Sequence, residues 1–389
     1  MNITFILKSF DTGGVEIVTA ILANKFHKDG HNVSIWAFCQ GDGIVLNRFC
    51  KGIPTEYGGA FKCNKKNVTQ LHNYLLNNKT NIVVNQWGLH WIPIKTIQKA
   101  KKGLSVKTIS VYHNDPLKNG ILQKIDNQIS NTDNFLKRHI LLFKRFFFRC
   151  ITGFSMRYVY KNSDIYEVLS NSFVENFKEF TKIKNTNKLF AQTNPITINN
   201  SDYTYNFTKK SKEIIYVGRL DNTQKCVYRI IEIWDKLEKK YPDWHLTIVG
   251  DGNDRIQLEK MISNLQLKHV KLEGMQYPRQ YYERASILLL TSDFEGFGLV
   301  IVEGMAFGVI PIAYGSYSAV YDIIENEKDG IITPMPYNVA DFVSYLHKLL
   351  DDKIMRQRMA NNAIEKSKKF SLDNIASEWY SKMNKLLSQ

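Results

Sequence analysis

The chain lacks any long apolar run. No stretch approaches the roughly 18 residues that a membrane-spanning helix needs, so no transmembrane segment is expected. It is poor in cysteine: Cys39, Cys50, Cys63, Cys150 and Cys226 are odd in number, scattered, and form no CxxC pair. That excludes a disulfide framework and a thiolate zinc site, and leads to the expectation of a reduced, cytoplasmic protein. No internal repeat or low-complexity tract is present. Acidic charge is scarce in one half only. Residues 1–200 hold 27 Lys and Arg against 12 Asp and Glu, whereas the remainder holds 25 of each, so the whole excess of +15 lies in the first half. A one-sided field of this kind suggests that the first half meets something anionic: a phospholipid surface, a lipid phosphate or nucleic acid.

At 389 residues, with 44% hydrophobic and 23% charged content, the chain reads as an ordinary globular protein of two domains. Its start, MNITFILKSF, meets Asp11 almost at once and resembles a first buried strand more than a signal peptide. Short β-branched runs alternate with helical patterns, which predicts α/β architecture with parallel sheets. The strand candidates are ITFIL, NVSIWAF, NIVVNQW, VKTISVY and IYEVLS, then EIIYVG, HLTIVG, VKLEG, SILLLTS, VIPIAY and GIITP. The polar, Asn-rich segment 193–213 is the best linker candidate. The expected boundary lies near Asn194-Pro195, giving domains 1–193 and 194–371.

One segment breaks the alternation. Residues 134–161 interleave Lys137, Arg138, Lys144, Arg145, Arg149 and Arg157 with Phe135, Leu141, Leu142, Phe143, Phe146, Phe147 and Phe148. This is the composition of an interfacial membrane helix. A core helix whose basic side chains extend to solvent has the same composition. Because Phe146, Phe147 and Phe148 span more than one helix face, part of this cluster is expected to be buried in protein.

Open α/β sheets bind ligands outside the carboxyl ends of their strands. In the second half, EIIYVG runs into GRLDNTQK, which places Arg219 and Lys225 in one loop, two cations suited to a diphosphate. SILLLTS runs into DFEGFGLVIVEGMAFG. Gly296 and Gly298 allow close backbone approach, and the amides of Phe297, Gly298 and Leu299 at a helix start make an anion site. Glu295 can accept hydrogen bonds from sugar hydroxyls. Glu303 is a bidentate acceptor suited to the vicinal hydroxyls of a ribose. Glu303 on an outer helix face, with no ligand role, is the plain alternative. In the first half, Gly13 and Gly14 form a turn before a helix. His113 ends a strand ahead of Asn114, Asp115 and Pro116. Asn85, Gln86 and Trp87 end another strand and are candidates for an acceptor pocket.

DFEGFGLVIVEGMAFGVIPIAY resembles the E-x7-E signature of retaining glycosyltransferases of family 4, which have the GT-B fold. VGRLDNTQK, HLTIVGDG and the EGM turn ending at Met275 also resemble that family's pattern. The resemblance spans nearly the whole chain. It implies two Rossmann-like doubly wound domains facing each other across a cleft, with a final helix (372–389) packing back on the first, acceptor-binding domain. The second domain would bind the nucleotide sugar. By the same resemblance Glu303 binds the ribose, Met275 lies near the base, and Arg219 and Lys225 neutralise the leaving diphosphate. Glu295 with the amides after it holds the donor sugar, the Gly13-Gly14 turn faces the donor, and His113 touches the sugar near the reacting carbon. The loop GSYSAVYD departs from the family's Gly-rich pattern at Tyr317, which puts the identity of the sugar in question.

The expected activity is transfer of a sugar from a nucleotide diphosphate, UDP rather than GDP by the resemblance, to an acceptor hydroxyl with retention. No metal or cofactor is expected: Asp251-Gly252-Asn253-Asp254 sits in a turn that the family uses for helix entry. The basic first half suggests a lipid-linked glycan acceptor at the inner face of a cell membrane, as in bacterial surface-polysaccharide synthesis. Two rivals are a nucleotide-sugar epimerase of the same fold and a basic polyanion-binding protein. The second has no compact nucleic-acid recognition motif in its favour, and nucleic acid is not an expected partner.

Overall fold

The apolar runs of the first half pair into one seven-stranded parallel sheet. Its strands are β1 (Asn2–Ser9), β2 (Asn32–Cys39), β3 (Thr55–Tyr57), β4 (Ile82–Asn85), β5 (Lys107–Tyr112), β6 (Ile165–Val168) and β7 (Leu189–Ala191), in the order β3-β2-β1-β4-β5-β6-β7. Phe5 stands level with Ile35 on one side and Val84 on the other. Phe5, Ile6, Ile35, Trp36, Val83 and Val84 are fully buried. Helices cover both faces of such a sheet, so its strands are apolar on both sides and do not alternate.

The computed structural model describes residues 1–118 and 120–389. It divides into two compact units, Met1–Pro195 with Leu372–Gln389, and Ile196–Ser371. The second unit is a six-stranded parallel sheet of β8 (Glu213–Val217), β9 (His245–Val249), β10 (Val270–Gly274), β11 (Ile287–Leu290), β12 (Ile310–Tyr314) and β13 (Ile331–Thr333). Its order is β10-β9-β8-β11-β12-β13. Ile214, Tyr216, Trp234, Leu246, Ile248, Ile287, Leu289 and Ile312 form its core. Both units are thus Rossmann-like α/β sheets. Each reverses its strand order once, between β1 and β4 in the first and between β8 and β11 in the second, which is where such sheets bind ligands.

The helix Leu372–Leu387 belongs to the first unit. Ile375, Ala376, Trp379, Met383 and Leu386 form its buried stripe. Phe26 receives Trp379 and Tyr380, with ring centroids 6.3 and 5.0 Å away. Its polar side reaches in as well. Lys382 Nζ lies 2.9 Å from Glu167 Oε1 on β6, a carboxylate with no exposure, and Gln192 Nε2 donates to Glu378 Oε2 at 3.0 Å.

The basic-aromatic segment is a helix, Phe135–Asn162, capped by Asn134, whose side chain accepts from the Lys137 amide. Its last third is held by Met156, Val159 and Tyr160, all buried. Its first two thirds carry Phe135, Leu136, Ile140, Phe143, Phe146 and Phe147 more than half exposed. Of the phenylalanine cluster only Phe148 is half-buried. The core-helix alternative therefore describes one end of the helix and not the other. No helix among the described residues is long and apolar enough to cross a membrane.

Candidate active site

Strands β8 and β11 are neighbours, Ile214 beside Ile287 and Ile215 beside Leu288, so the loops leaving their carboxyl ends are brought together. Hydrogen bonds tie those loops. The Asp293 amide donates to Gln224 O at 2.8 Å. Gln224 Nε2 donates to Phe294 O at 3.1 Å, and Thr291 Oγ1 donates to Cys226 O at 3.1 Å. Behind them Arg229 braces the second loop, Nη1 donating to Asp293 Oδ1 at 2.6 Å while its guanidinium stacks 4.3 Å from the Tyr337 ring.

The result is a fixed cluster at the reversal point. Lys225 Nζ reaches Glu295 Oε1 at 2.6 Å, and Ser292 Oγ donates to the same oxygen at 2.7 Å. The Glu295 side chain is 8% exposed and that of Lys225 is 18% exposed. Arg219 is more open, at 61%, and lies 3.0 Å from both Asp221 Oδ2 and Gln224 Oε1. Gly298 takes up φ +88° and caps the helix Leu299–Ala306. The first amides of a helix have no intrahelical acceptor, so those of Leu299 and its neighbours stand at the mouth of this cluster beside Gly296 and Phe297. Only glycine suits the left-handed conformation at 298.

Glu303 sits among the apolar side chains of this helix. It is 6% exposed. Its Oε1 accepts from Thr197 Oγ1 and its Oε2 from Tyr282 OH at 3.1 Å. Burial pushes its carboxyl above the ordinary glutamate value, against the two hydroxyl donors that hold it down. The Thr197 amide also faces this carboxylate. Glu303 therefore does not lie on an outer face.

Asp251 and Asp254 serve the loop. The Asn222 amide donates to Asp254 Oδ2 at 2.6 Å, and the Gly252 amide to Asp251 Oδ1 at 2.7 Å. Among the described residues no group of three or more His, Cys, Asp or Glu is arranged to hold a metal ion. Met275 follows β10, 75% exposed, two strands away from β8.

In the first unit the reversal point gathers the ends of β1, β4 and β5. His113 Nε2 lies 2.7 Å from Gln86 Oε1. A carbonyl oxygen only accepts, so Nε2 carries the proton and Nδ1 is left as an acceptor. Burial holds this imidazole down to about 4, so it is neutral at physiological pH. Trp87 packs against Phe61 and His90, with Lys8 Nζ 5.3 Å from its ring. Asn85 departs from the acceptor-pocket expectation. It has no exposure, its Nδ2 donating to Ser110 Oγ and its Oδ1 accepting from the Trp87 N–H, so its side chain is turned into the protein. The Gly13-Gly14 turn also differs from a vacant anion site. A Cβ on Gly13 would fall 2.5 Å from Glu16 Oε2, so the carboxylate of Glu16 already lies over the turn. Burial raises the Glu16 carboxyl above its ordinary value.

Sequence reading missed Thr197, Tyr282, Gln224 and Ser292 as parts of this arrangement. Only Ser292 carried a signal, as a hydroxyl at the carboxyl end of a buried strand.

Residues 198–366 match the family model of the "Glycosyl transferases group 1". The chain is 24% identical over 97% of its length and 97% of the partner's to the GalNAc-alpha-(1->4)-GalNAc-alpha-(1->3)-diNAcBac-PP-undecaprenol alpha-1,4-N-acetyl-D-galactosaminyltransferase of Campylobacter jejuni. It is 33% identical to the lipopolysaccharide 1,6-galactosyltransferase of Escherichia coli K12, over 36% of this chain and 40% of that one. Among solved structures, Anabaena Alr3699/HepE in complex with UDP and glucose matches with a TM-score of 0.74 at 15% identity, over 99% of each chain. The apo lipopolysaccharide outer core galactosyltransferase WaaB matches with a TM-score of 0.68 at 20% identity, over 98% of this chain and 100% of that one. The group 1 match thus lies in the second unit, and the chain is a glycosyltransferase of the GT-B fold.

Proposed function

We propose that this enzyme moves a sugar from a nucleotide diphosphate, UDP by preference, to an acceptor hydroxyl with retention at the anomeric carbon. One observation carries the reading: Lys225, Glu295, Ser292 and the head of the helix Leu299–Ala306 converge at the reversal point of one sheet, with Glu303 further along that helix. Departure of a nucleoside diphosphate builds negative charge. Lys225 and Arg219 are each held on a carboxylate, Glu295 and Asp221, and exchange that partner for phosphate oxygens. The helix-head amides add fixed dipoles at the same place, where preorganised donors lower the barrier most. Glu295, once released by Lys225, accepts from hydroxyls of the transferred sugar, and Glu303 accepts from the ribose. His113, neutral and fixed by Gln86, serves the sugar as a hydrogen-bonding group and not as a proton carrier. UDP in the named ligands of the Anabaena structure supports the choice of base.

The acceptor in this reading is a lipid-linked glycan of a bacterial surface polysaccharide, presented at the inner face of a membrane. The name of the Campylobacter relative includes a diphosphate-linked undecaprenol, and the helix Phe135–Asn162 supports a peripheral contact. Its solvent-facing phenylalanines are flanked by Lys137, Arg138 and Lys144, all exposed, a combination that enters the headgroup region of an anionic bilayer.

The test is a thermal-shift screen of UDP, GDP and ADP, followed by incubation of UDP-sugars with undecaprenyl-diphosphate glycans and determination of the product's anomeric configuration by NMR. UDP is expected to raise the melting temperature most, and the product to keep the donor's configuration. Conversion of the nucleotide sugar without any acceptor would point to an epimerase instead. A product of inverted configuration would refute retention.

A further inference from the structure

A third loop reaches the same cluster. It leaves β12 and contains Gly315, Ser316 and Tyr317. Ser316 Oγ donates to Ser292 O at 2.6 Å, which fastens it to the loop of Glu295. Tyr317 is 3% exposed. A Cβ built on Gly298 would lie 2.5 Å from the Tyr317 hydroxyl, so the phenol is aimed at the head of the helix Leu299–Ala306. That hydroxyl has no hydrogen-bond partner among the described residues. Burial, and after it the nearby Glu295 charge, push the phenol well above its ordinary value, so it is a donor at any working pH. A buried hydroxyl without a partner destabilises the fold, and phenylalanine would fill the same space without that cost.

We propose that Tyr317 is a specificity-determining residue whose hydroxyl donates to an oxygen of the transferred sugar, that sugar hydroxyl in turn donating to Glu295. The inference rests on the sugar-nucleotide reading above. Phosphate oxygens are served by Lys225 and Arg219 and repelled by Glu295. A sugar hydroxyl both accepts from a phenol and donates to a carboxylate, so it satisfies the two neighbours at once.

The test is calorimetric titration of the full-length chain and of Tyr317→Phe with UDP, then with UDP-glucose, UDP-galactose, UDP-N-acetylglucosamine and UDP-N-acetylgalactosamine. Tyr317→Phe is expected to melt no lower than the wild type, to bind UDP within twofold of it, and to lose about tenfold in affinity for whichever UDP-sugar the wild type prefers. An equal loss for UDP and UDP-sugar would assign the hydroxyl to the diphosphate and overturn the inference. Unchanged affinity for both would overturn it too. The wild type is titrated first. If it binds neither UDP nor any UDP-sugar, the sugar-nucleotide reading itself fails, so the two failures are told apart.

Discussion

Glu303 is the residue on which the functional reading can be broken most cleanly. Its carboxylate does two jobs: it holds the hydroxyls of Thr197 and Tyr282 within the protein and, in the proposed complex, accepts from the ribose. Glu303→Gln keeps the shape but only one acceptor oxygen, so the hydroxyls of Thr197 and of the wholly buried Tyr282 can no longer donate one to each oxygen. One buried hydroxyl left unpaired costs about 1–3 kcal/mol of stability. A hydrogen bond to a charged acceptor contributes about 1.5–3 kcal/mol, so losing the charge should weaken UDP by roughly ten- to a hundredfold, and Glu303→Ala should weaken it further. The assay is calorimetric titration with UDP and, separately, with inorganic diphosphate, which has no ribose. Diphosphate affinity should hold while UDP affinity falls. Undiminished UDP binding, or parallel loss of both ligands, would refute the ribose assignment. Acidity supplies a second reading. Burial raises the Glu303 carboxyl, so UDP affinity should fall as pH drops through that raised value, earlier than for an ordinary glutamate. Stability responds with the opposite sign. A carboxyl raised in the folded state favours the fold when protonated, a contribution present below the unfolded value and lost as pH rises through the folded one. Acidification thus loosens the ligand while it relieves this site in the protein.

Further outcomes follow from the same geometry. His113, held down to about 4 by burial, should contribute no ionisation between pH 5 and 8 to the profile of kcat/KM; a limb near 6.5 that disappears in His113→Asn would overturn its neutral role. The same lowering means that its contribution to stability is complete above about 6.5 and is lost as pH falls toward 4. Lys382→Met should destabilise the first unit by about 3 kcal/mol in urea unfolding, because it leaves Glu167 buried without its cation, and adding Glu167→Gln should recover most of that loss. Sedimentation with anionic vesicles should carry the protein down at low salt and less at high salt. Phe143→Ser with Phe146→Ser should weaken that binding severalfold without lowering the melting temperature, since both side chains are more than half exposed; no binding at low salt would remove the membrane reading.

The strands were legible where the sheet is buried and illegible where it ends. Runs such as IVV and ILLL, apolar at every position, announce a parallel sheet covered on both faces. β3 and β7 went unread because these edge strands carry no buried apolar run, and Tyr57 and Phe190 in them are exposed. The helix Phe135–Asn162 was legible in composition but not in burial. A mixture of phenylalanine and arginine fits both a covered and an uncovered helix, and only the packing of Met156, Val159 and Tyr160 decides which end is which.

At the candidate site, sequence spacing located the charged groups but not their partners. Arg219, Lys225, Glu295 and Glu303 stand in loops and a helix start that local patterns mark. Thr197, by contrast, reaches Glu303 from a polar stretch that reads as a linker, across 106 residues, and no local pattern encodes such a contact. At the Gly13-Gly14 turn the glycines are legible before a helix, but not that the carboxylate of Glu16, one turn on, lies over them. Net charge misleads for a related reason. Averaged over the sequence, the second half is neutral, which by itself argues against a unit that holds a diphosphate. Yet its two site cations are each paired with a carboxylate at 2.6 and 3.0 Å, so they add nothing to the net field while remaining exchangeable. What a loop can bind depends on which partners it can release. For Lys225 that partner is Glu295, so in the proposed complex a phosphate on Lys225 would also free Glu295 for the sugar.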